Sequence, residues 1–344
     1  MKKNRHLILL FLLIVSPLHS QLPDKNKRDS RKAYNRGVEL IHTDEYGEAI
    51  RYFEKSFELD KAFIDPLILK AKAKVELNDI EGAIEDFQGI TLLDSARGEP
   101  WFYLGYLNFT GDIQEEILEY FDKAINLGFK DYQVYYYRGI YKLLMEDYTG
   151  AVSDLNEAIQ KNEKLAEAYH DRATAKRNLG DLQGALYDYR MAVNYKQDFP
   201  LAFNNMGSVK MVLGDYEGAL DDYDVAVNLD PDFYVALNNR GCIYYYLGDI
   251  ELARTDFEEA LSHSPDYLKA MNNMAGVVAK KNEYATAITI YNDIIESDNS
   301  FATAYLNRGL VKELTGDLEG ACEDWNMALE LGIEQAERYI KECD

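Results

Sequence analysis

Residues 200–233 read PLAFNNMGSVKMVLGDYEGALDDYDVAVNLDPDF, and residues 234–267 read YVALNNRGCIYYYLGDIELARTDFEEALSHSPDY. The order of side-chain types is the same in both. Paired asparagines precede Gly207 or Gly241, and Gly214-Asp215 or Gly248-Asp249 follows. Then come Ala219 or Ala253, a ring at Tyr223 or Phe257, Ala226 or Ala260, and Asp230-Pro231 or Ser264-Pro265. The interval is 34 residues. Self-similarity at such an interval marks an array of short supersecondary units.

Outward from this stretch, the central small residue recurs as Gly37, Ala71, Gly105, Gly139, Ala173, Gly207, Gly241, Ala275 and Gly309. A second column holds Ala49, Ala83, Ile117, Ala151, Ala185, Ala219, Ala253, Ala287 and Ala321. Four residues further on stands a large side chain: Phe53, Phe87, Phe121, Leu155, Tyr189, Tyr223, Phe257, Tyr291 or Trp325. Spacings of three and four put residues on one helix face. Each unit therefore reads as two antiparallel helices, with small residues admitting close backbones and the large residue filling the gap. Gly180-Asp181, Gly214-Asp215, Gly248-Asp249 and Gly316-Asp317 each offer a glycine for a left-handed C-cap and an aspartate for the next N-cap. Asp230-Pro231 and Ser264-Pro265 end second helices. The predicted units are 30–63, 64–97, 98–131, 132–165, 166–199, 200–233, 234–267, 268–301 and 302–335. In the third, Gly111-Asp112 comes one residue early, so its turn is expected to differ. A last helix is predicted from Glu334 to Cys343, its end (336–344) lying beyond the units. It carries Ala336, Tyr339 and Ile340 on one face to cover the final apolar surface of the stack.

These columns closely resemble the tetratricopeptide-repeat family, over about residues 30–335. The resemblance implies an all-α, right-handed superhelical solenoid of nine helix-turn-helix repeats with a C-terminal capping helix. It also implies a concave face lined by the first helices, and a partner that is protein or peptide.

The formal net charge is −23. Such a surface repels phosphate backbones, so no nucleic-acid partner is expected. A basic or neutral protein segment suits it better. Lys2, Lys3 and Arg5 precede an apolar run from Leu7 to Val15, which Pro17 breaks. That is the three-part form of a signal peptide (residues 1–20, cleavage after Ser20), and the run is too short to span a bilayer. An exported, periplasmic or secreted protein of bacterial type is expected, with no integral membrane segment once the signal is removed. Residues 21–29 are polar and without periodicity, a flexible lead-in.

Charges co-occur within units. Arg138 with Asp154, Arg172 with Asp188, Arg240 with Asp256, Arg308 with Asp324 and Lys70 with Asp86 share one separation, whereas the third and eighth units have uncharged residues at both places. The first (Arg36, Tyr52) and sixth (Met206, Asp222) break the rule. The prediction is a partly buried ion pair across each hairpin, structural in role.

In this family the concave positions lie three and two residues before the central small residue, and one and four after it. Asn204-Asn205, Asn238-Asn239 and Asn272-Asn273 occupy the first two in three consecutive units, and Asn307 continues the row. A carboxamide donates and accepts. The row can therefore bracket the backbone of an extended peptide, or it can bond neighbouring repeats; the sequence leaves both open. Phe102, Tyr103, Tyr106, Tyr136 and Tyr137 make the other half of the face aromatic, as an interface patch would be, with core packing as the alternative. The lysine-asparagine set with which some family members clamp a terminal carboxylate is missing, since Lys72 and Arg177 are isolated.

Of three cysteines, Cys242 reads as an inert apolar group on a first helix. Cys322 and Cys343 come together if the last helix folds back, and a disulfide between them is expected in an exported protein. His42, His170 and His263 have no partner at metal-ligand spacing, and no phosphate loop, nucleophile elbow or zinc-protease motif occurs. No enzyme activity, catalytic residue, metal or cofactor is expected. The sequence reads as an exported scaffold or adaptor that captures a partner segment on its concave face. A chaperone-like peptide holder and an envelope- or glycan-associated module are the alternatives.

Overall fold

The computed structural model describes residues 25–109, 114–341 and 343. The expected signal peptide and the Gly111-Asp112 turn lie outside the described residues. Within them the chain is all helical. Helices come in pairs: α1 (Lys25–Ile41) and α2 (Tyr46–Leu59), α3 (Asp65–Glu76) and α4 (Ile80–Leu93), α5 (Gly98–Leu107) and α6 (Glu115–Asn126). Next are α7 (Tyr132–Leu144) and α8 (Tyr148–Lys161), α9 (Ala166–Asn178) and α10 (Leu182–Tyr195), α11 (Pro200–Val212) and α12 (Tyr216–Leu229). The last are α13 (Tyr234–Leu247) and α14 (Ile250–His263), α15 (Leu268–Lys280) and α16 (Tyr284–Ser297), α17 (Ala302–Leu314) and α18 (Leu318–Glu330), followed by the short α19 (Glu337–Ile340).

The chain divides into two compact units, residues 1–137 and 138–344, the boundary falling within α7. In the first, each helix from α1 to α5 packs on its successor. In the second, α8 to α18 do the same, and α9, α11, α13, α15 and α17 also touch one another in sequence. This is the stacking of a repeat solenoid, in which each hairpin buries its apolar face only against its neighbours.

The turns follow from their residues. Gly180, Gly214, Gly248 and Gly316 adopt φ between 81° and 91°, the left-handed region expected of them. Asp181, Asp215 and Asp317 accept from the backbone N–H of Gly184, Gly218 and Gly320, and Asp79 and Asp147 do the same for Gly82 and Gly150. Each cap is worth roughly 1 kcal/mol. Asp249 departs from the expectation and makes no such bond. Its third residue on is Leu252, whereas a Cβ on Gly218 or Gly320 would come within 2.4 Å of the capping carboxylate. The glycine is what lets the carboxylate approach.

The large residue of each second helix is buried, from Phe53 to Trp325. Rings press on the central glycines, so that a Cβ on Gly241 would lie 2.8 Å from Phe257 and one on Gly309 would lie 2.5 Å from Trp325.

The predicted charge pairs form. Arg172 donates to Asp188 at 2.8 and 2.6 Å, Arg240 to Asp256 at 2.9 and 2.7 Å, and Arg308 to Asp324 at 2.8 and 2.6 Å. Arg138 meets Asp154 in the same bidentate way, and Lys70 lies 3.0 Å from Asp86. A second cation went unread in the sequence: Lys142, Lys176 and Lys312 reach Asp154, Asp188 and Asp324 at 2.9, 2.8 and 3.0 Å. The same position explains the sixth unit. Met206 replaces the arginine there, but Lys210 still reaches Asp222 at 2.6 Å. Three of these arginines also grip the preceding second helix, Arg240 through Asp224 at 2.8 Å, Arg172 through Asn156 at 2.7 Å and Arg308 through Asn292 at 2.6 Å.

The end of the chain is shorter than predicted. A single 3-10 turn, Glu334–Ala336, leads into the one-turn α19. Ala336 is buried and Tyr339 stacks on Trp325 at 5.1 Å, so the segment does cover the last hairpin. Cys322 and Cys343 are disulfide-bonded across a Cα separation of 5.8 Å.

Candidate binding face

In the second unit the asparagine row is a ladder between repeats. Asn239 Nδ2 donates to Asn204 Oδ1 at 3.0 Å, Asn273 to Asn238 at 2.9 Å, and Asn307 to Asn272 at 3.0 Å. Within a pair, Asn204 Nδ2 donates to Asn205 Oδ1 at 3.1 Å. The ladder ends on His170: Asn205 Nδ2 lies 3.0 Å from Nε2, while Nδ1 lies 2.9 Å from Asp171. With Nε2 accepting, the imidazole proton sits on Nδ1 and is donated to Asp171. Asn204 and Asn238, expected on an open face, are buried. They lie between adjacent first helices, where the next repeat covers them.

Beside the ladder stand the side chains one residue after each central small residue. Thr174 meets the Tyr189 hydroxyl at 3.0 Å and Ser208 meets the Tyr223 hydroxyl at 3.1 Å. Cys242 faces Phe257 and its sulfur accepts from Asn273 at 3.1 Å. Burial pushes the Cys242 thiol up to about 11. In the eighth unit the residue at this place is Gly276, and a cavity of about 480 Å³ opens, lined by Tyr245, Tyr291, Leu310, Leu314, Lys280 and the ladder end at Asn307 among others. That volume is in the range of small-molecule sites. Tyr291 is 2 % exposed, and burial first, then the nearby Tyr245, holds its phenol above the ordinary range.

In the first unit the aromatic residues form one stacked cluster. Tyr103 stacks on Phe87 at 4.7 Å, Tyr106 packs on Tyr137 at 4.8 Å, and Tyr136 meets Tyr137 edge-on at 5.3 Å. Phe102 is a correction: it is 2 % exposed, enclosed by Phe121, Phe129 and Tyr137 at 6.3, 5.3 and 6.1 Å. Like Asn204, it occupies the place three before the central glycine, which packing covers. Tyr106 remains 36 % exposed, at a cleft of about 220 Å³ whose other walls include Lys72, Glu76, Tyr103 and Tyr137. Burial, with Tyr106 alongside, pushes the Tyr137 phenol up to about 12. Among the described residues no group of carboxylates, histidines and cysteines is arranged to hold a metal, and no helix is long and apolar enough to cross a membrane.

Helix hairpins repeating on a constant interval, tied by bonds from one first helix to the next, define a helical repeat-solenoid protein. Residues 234–267 and 33–63 each match a tetratricopeptide-repeat family model, so the array contains tetratricopeptide repeats. No curated protein matches the sequence. Among solved structures the chain is similar to YrrB, described as a TPR protein with an unusual peptide-binding site. The identity is 25 %, covering 55 % of this chain and 97 % of that one, with a TM-score of 0.50. It is also similar in fold to the APC/C hetero-tetramer Cut9-Hcn1, at 13 % identity and a TM-score of 0.61, over 94 % of this chain and 78 % of that one.

Proposed function

We propose that this chain is an exported protein-binding scaffold that holds a partner segment against the face lined by its first helices, without chemistry of its own. The observation that carries the reading is the cleft beside Tyr106 in the first unit. Its walls are rings already packed on one another in tilted and edge-on contacts, so a bound apolar side chain costs the protein little freedom and buries both its own surface and that of Tyr106. Glu76 also lines the cleft and offers a carboxylate to a flanking residue, whereas Lys72 is already paired with Glu99. The peptide-binding site named for YrrB supports the same class of partner. Export rests on the basic, apolar and polar run of residues 1–20.

The test is a peptide-display selection on the full chain, repeated with Tyr106→Ser. Enriched peptides with a recurrent apolar anchor, lost on the variant, are expected. A selection without consensus, or peptides that bind parent and variant alike, overturns the reading. Export is checked by the amino-terminal sequence of the protein made in a bacterial host, which should begin at Gln21.

A further inference from the structure

Gly276 has no packing reason to be glycine. At Gly207, Gly241 and Gly309 an added Cβ would lie 2.5 to 3.0 Å from a ring, whereas at Gly276 it meets nothing closer than the Tyr245 hydroxyl at 3.7 Å. Glycine inside a helix is also unfavourable in itself. The equivalent residues are Val38, Lys72, Tyr106, Ile140, Thr174, Ser208, Cys242 and Leu310, all with side chains. What the missing side chain leaves is the cavity, and one polar group in it is open to a ligand. Tyr189 and Tyr223 place their hydroxyls on Thr174 and Ser208. By the register of the repeat Gly276 offers the Tyr291 hydroxyl no such partner, and Tyr291, though only 2 % exposed, lines the cavity.

The rest of the lining says what that ligand is. Leu310, Leu314 and the Tyr245 ring give apolar walls. Lys280 lies four residues beyond Gly276 on α15, about 6 Å of helix rise, and has no ion-pair partner among the described residues. We propose that the Gly276 cavity is a binding site for a small aromatic carboxylate, with the carboxylate on Lys280, the ring between Leu310 and Tyr245, and a hydroxyl at the far end on Tyr291. This goes beyond the partner-segment reading and uses a different unit of the chain, so either can fail alone.

The experiment is calorimetric titration of the full chain with 3-(4-hydroxyphenyl)propionate, phenylpropionate, the hydroxyphenyl amide, and N-acetyl-Gly-Tyr-Gly-amide. The hydroxylated acid should saturate one site and bind best of the four. Gly276→Leu should weaken it at least tenfold, and an unchanged melting curve verifies that the fold accepts the leucine. Tyr291→Phe should erase the difference between hydroxylated and plain acids, and Lys280→Met the difference between acid and amide. The proposal is overturned if no probe saturates by millimolar concentration, or if Gly276→Leu melts normally and binds as the parent does. Tighter binding of the tripeptide amide than of the acid also overturns it.

Discussion

Asn239 on α13 donates its carboxamide N–H to Asn204 on α11 at 3.0 Å, tying one repeat to the one before it. The bond is repeated twice further along, so the asparagines that looked available to a ligand spend their hydrogen bonds on each other. Asn239→Ala should therefore act on stability. It leaves the buried Asn204 Oδ1 without its donor, at a cost of about 1–3 kcal/mol. Urea unfolding followed by circular dichroism measures this. A midpoint unchanged from the parent would mean that the ladder contributes nothing and the carboxamides are free for a ligand.

Asp188 is wholly buried between Arg172 and Lys176. Asp188→Ala leaves two cations facing an empty place and should cost about 3–5 kcal/mol, as removing one side of a buried pair does. Asp222 differs because only Lys210 faces it, and its Oδ2 lacks a well-directed hydrogen bond. Burial, against the pull of Lys210, raises the Asp222 carboxyl above its ordinary value. The folded state then holds this proton more tightly than the unfolded one. The stability so contributed is full below the unfolded value, about 3.9, and is lost as pH rises through the folded value. Asp222→Asn should match the parent near pH 3 and become relatively more stable toward pH 7. Thermal melts at the two pH values decide it, and a variant that loses ground as pH rises refutes the burial account.

Burial at Cys242 has a chemical consequence. With its thiol pushed up to about 11, the folded protein at pH 8.5 holds on the order of a hundredfold less thiolate than an ordinary cysteine would. Iodoacetamide should label the native chain at least that much more slowly than the urea-unfolded chain with its disulfide intact. Comparable half-times, read by intact mass, would show that the site is open.

The Cys322–Cys343 bond holds α19 on the last hairpin. Its sequence separation is 21, and closing such a loop is worth roughly 3 kcal/mol in the chain-entropy model. Cys343→Ser should lower the stability of the carboxyl-terminal repeat by about that much and expose Trp325, which Tyr339 now covers. A red shift of tryptophan emission at low urea, ahead of the main transition, is the expected signal. Emission that moves only with global unfolding would mean the cap stays in place without its disulfide.

Much of this architecture is legible in the sequence because it is periodic. The interval fixes the hairpins, and paired columns of charge fix Arg172 against Asp188. The lysines at 142, 176, 210 and 312 repeat just as regularly. A comparison of charges two columns at a time misses them, and so leaves Asp222 without an explanation. The asparagine ladder is a harder case. A carboxamide offers the same groups to a peptide as to another carboxamide, so residue type cannot choose, and only the placement of Asn204 under the next repeat does. Phe102 shows the same blind spot, since a ring at a position assigned to the open face is enclosed by Phe121 and Phe129 of its own unit and by Tyr137 of the next. The Gly276 cavity is visible in sequence only as one missing side chain in a variable column, and what that gap means depends on Tyr291 beneath it.

That gap separates two kinds of glycine, and a pair of substitutions distinguishes them. Gly309 lies against Trp325, with an added Cβ 2.5 Å from Nε1 and 3.2 Å from the Ala321 carbonyl oxygen. Gly309→Ala must displace a buried indole and should cost about 1–3 kcal/mol. Gly276 is equally helical, but an added Cβ there meets only the Tyr245 ring end at ordinary contact distance, so Gly276→Ala should gain about 0.4–1 kcal/mol by restricting the unfolded chain. The two opposite shifts are read in parallel urea melts. If Gly276→Ala destabilises as Gly309→Ala does, the glycine serves close packing, and the cavity beside it is incidental to the fold.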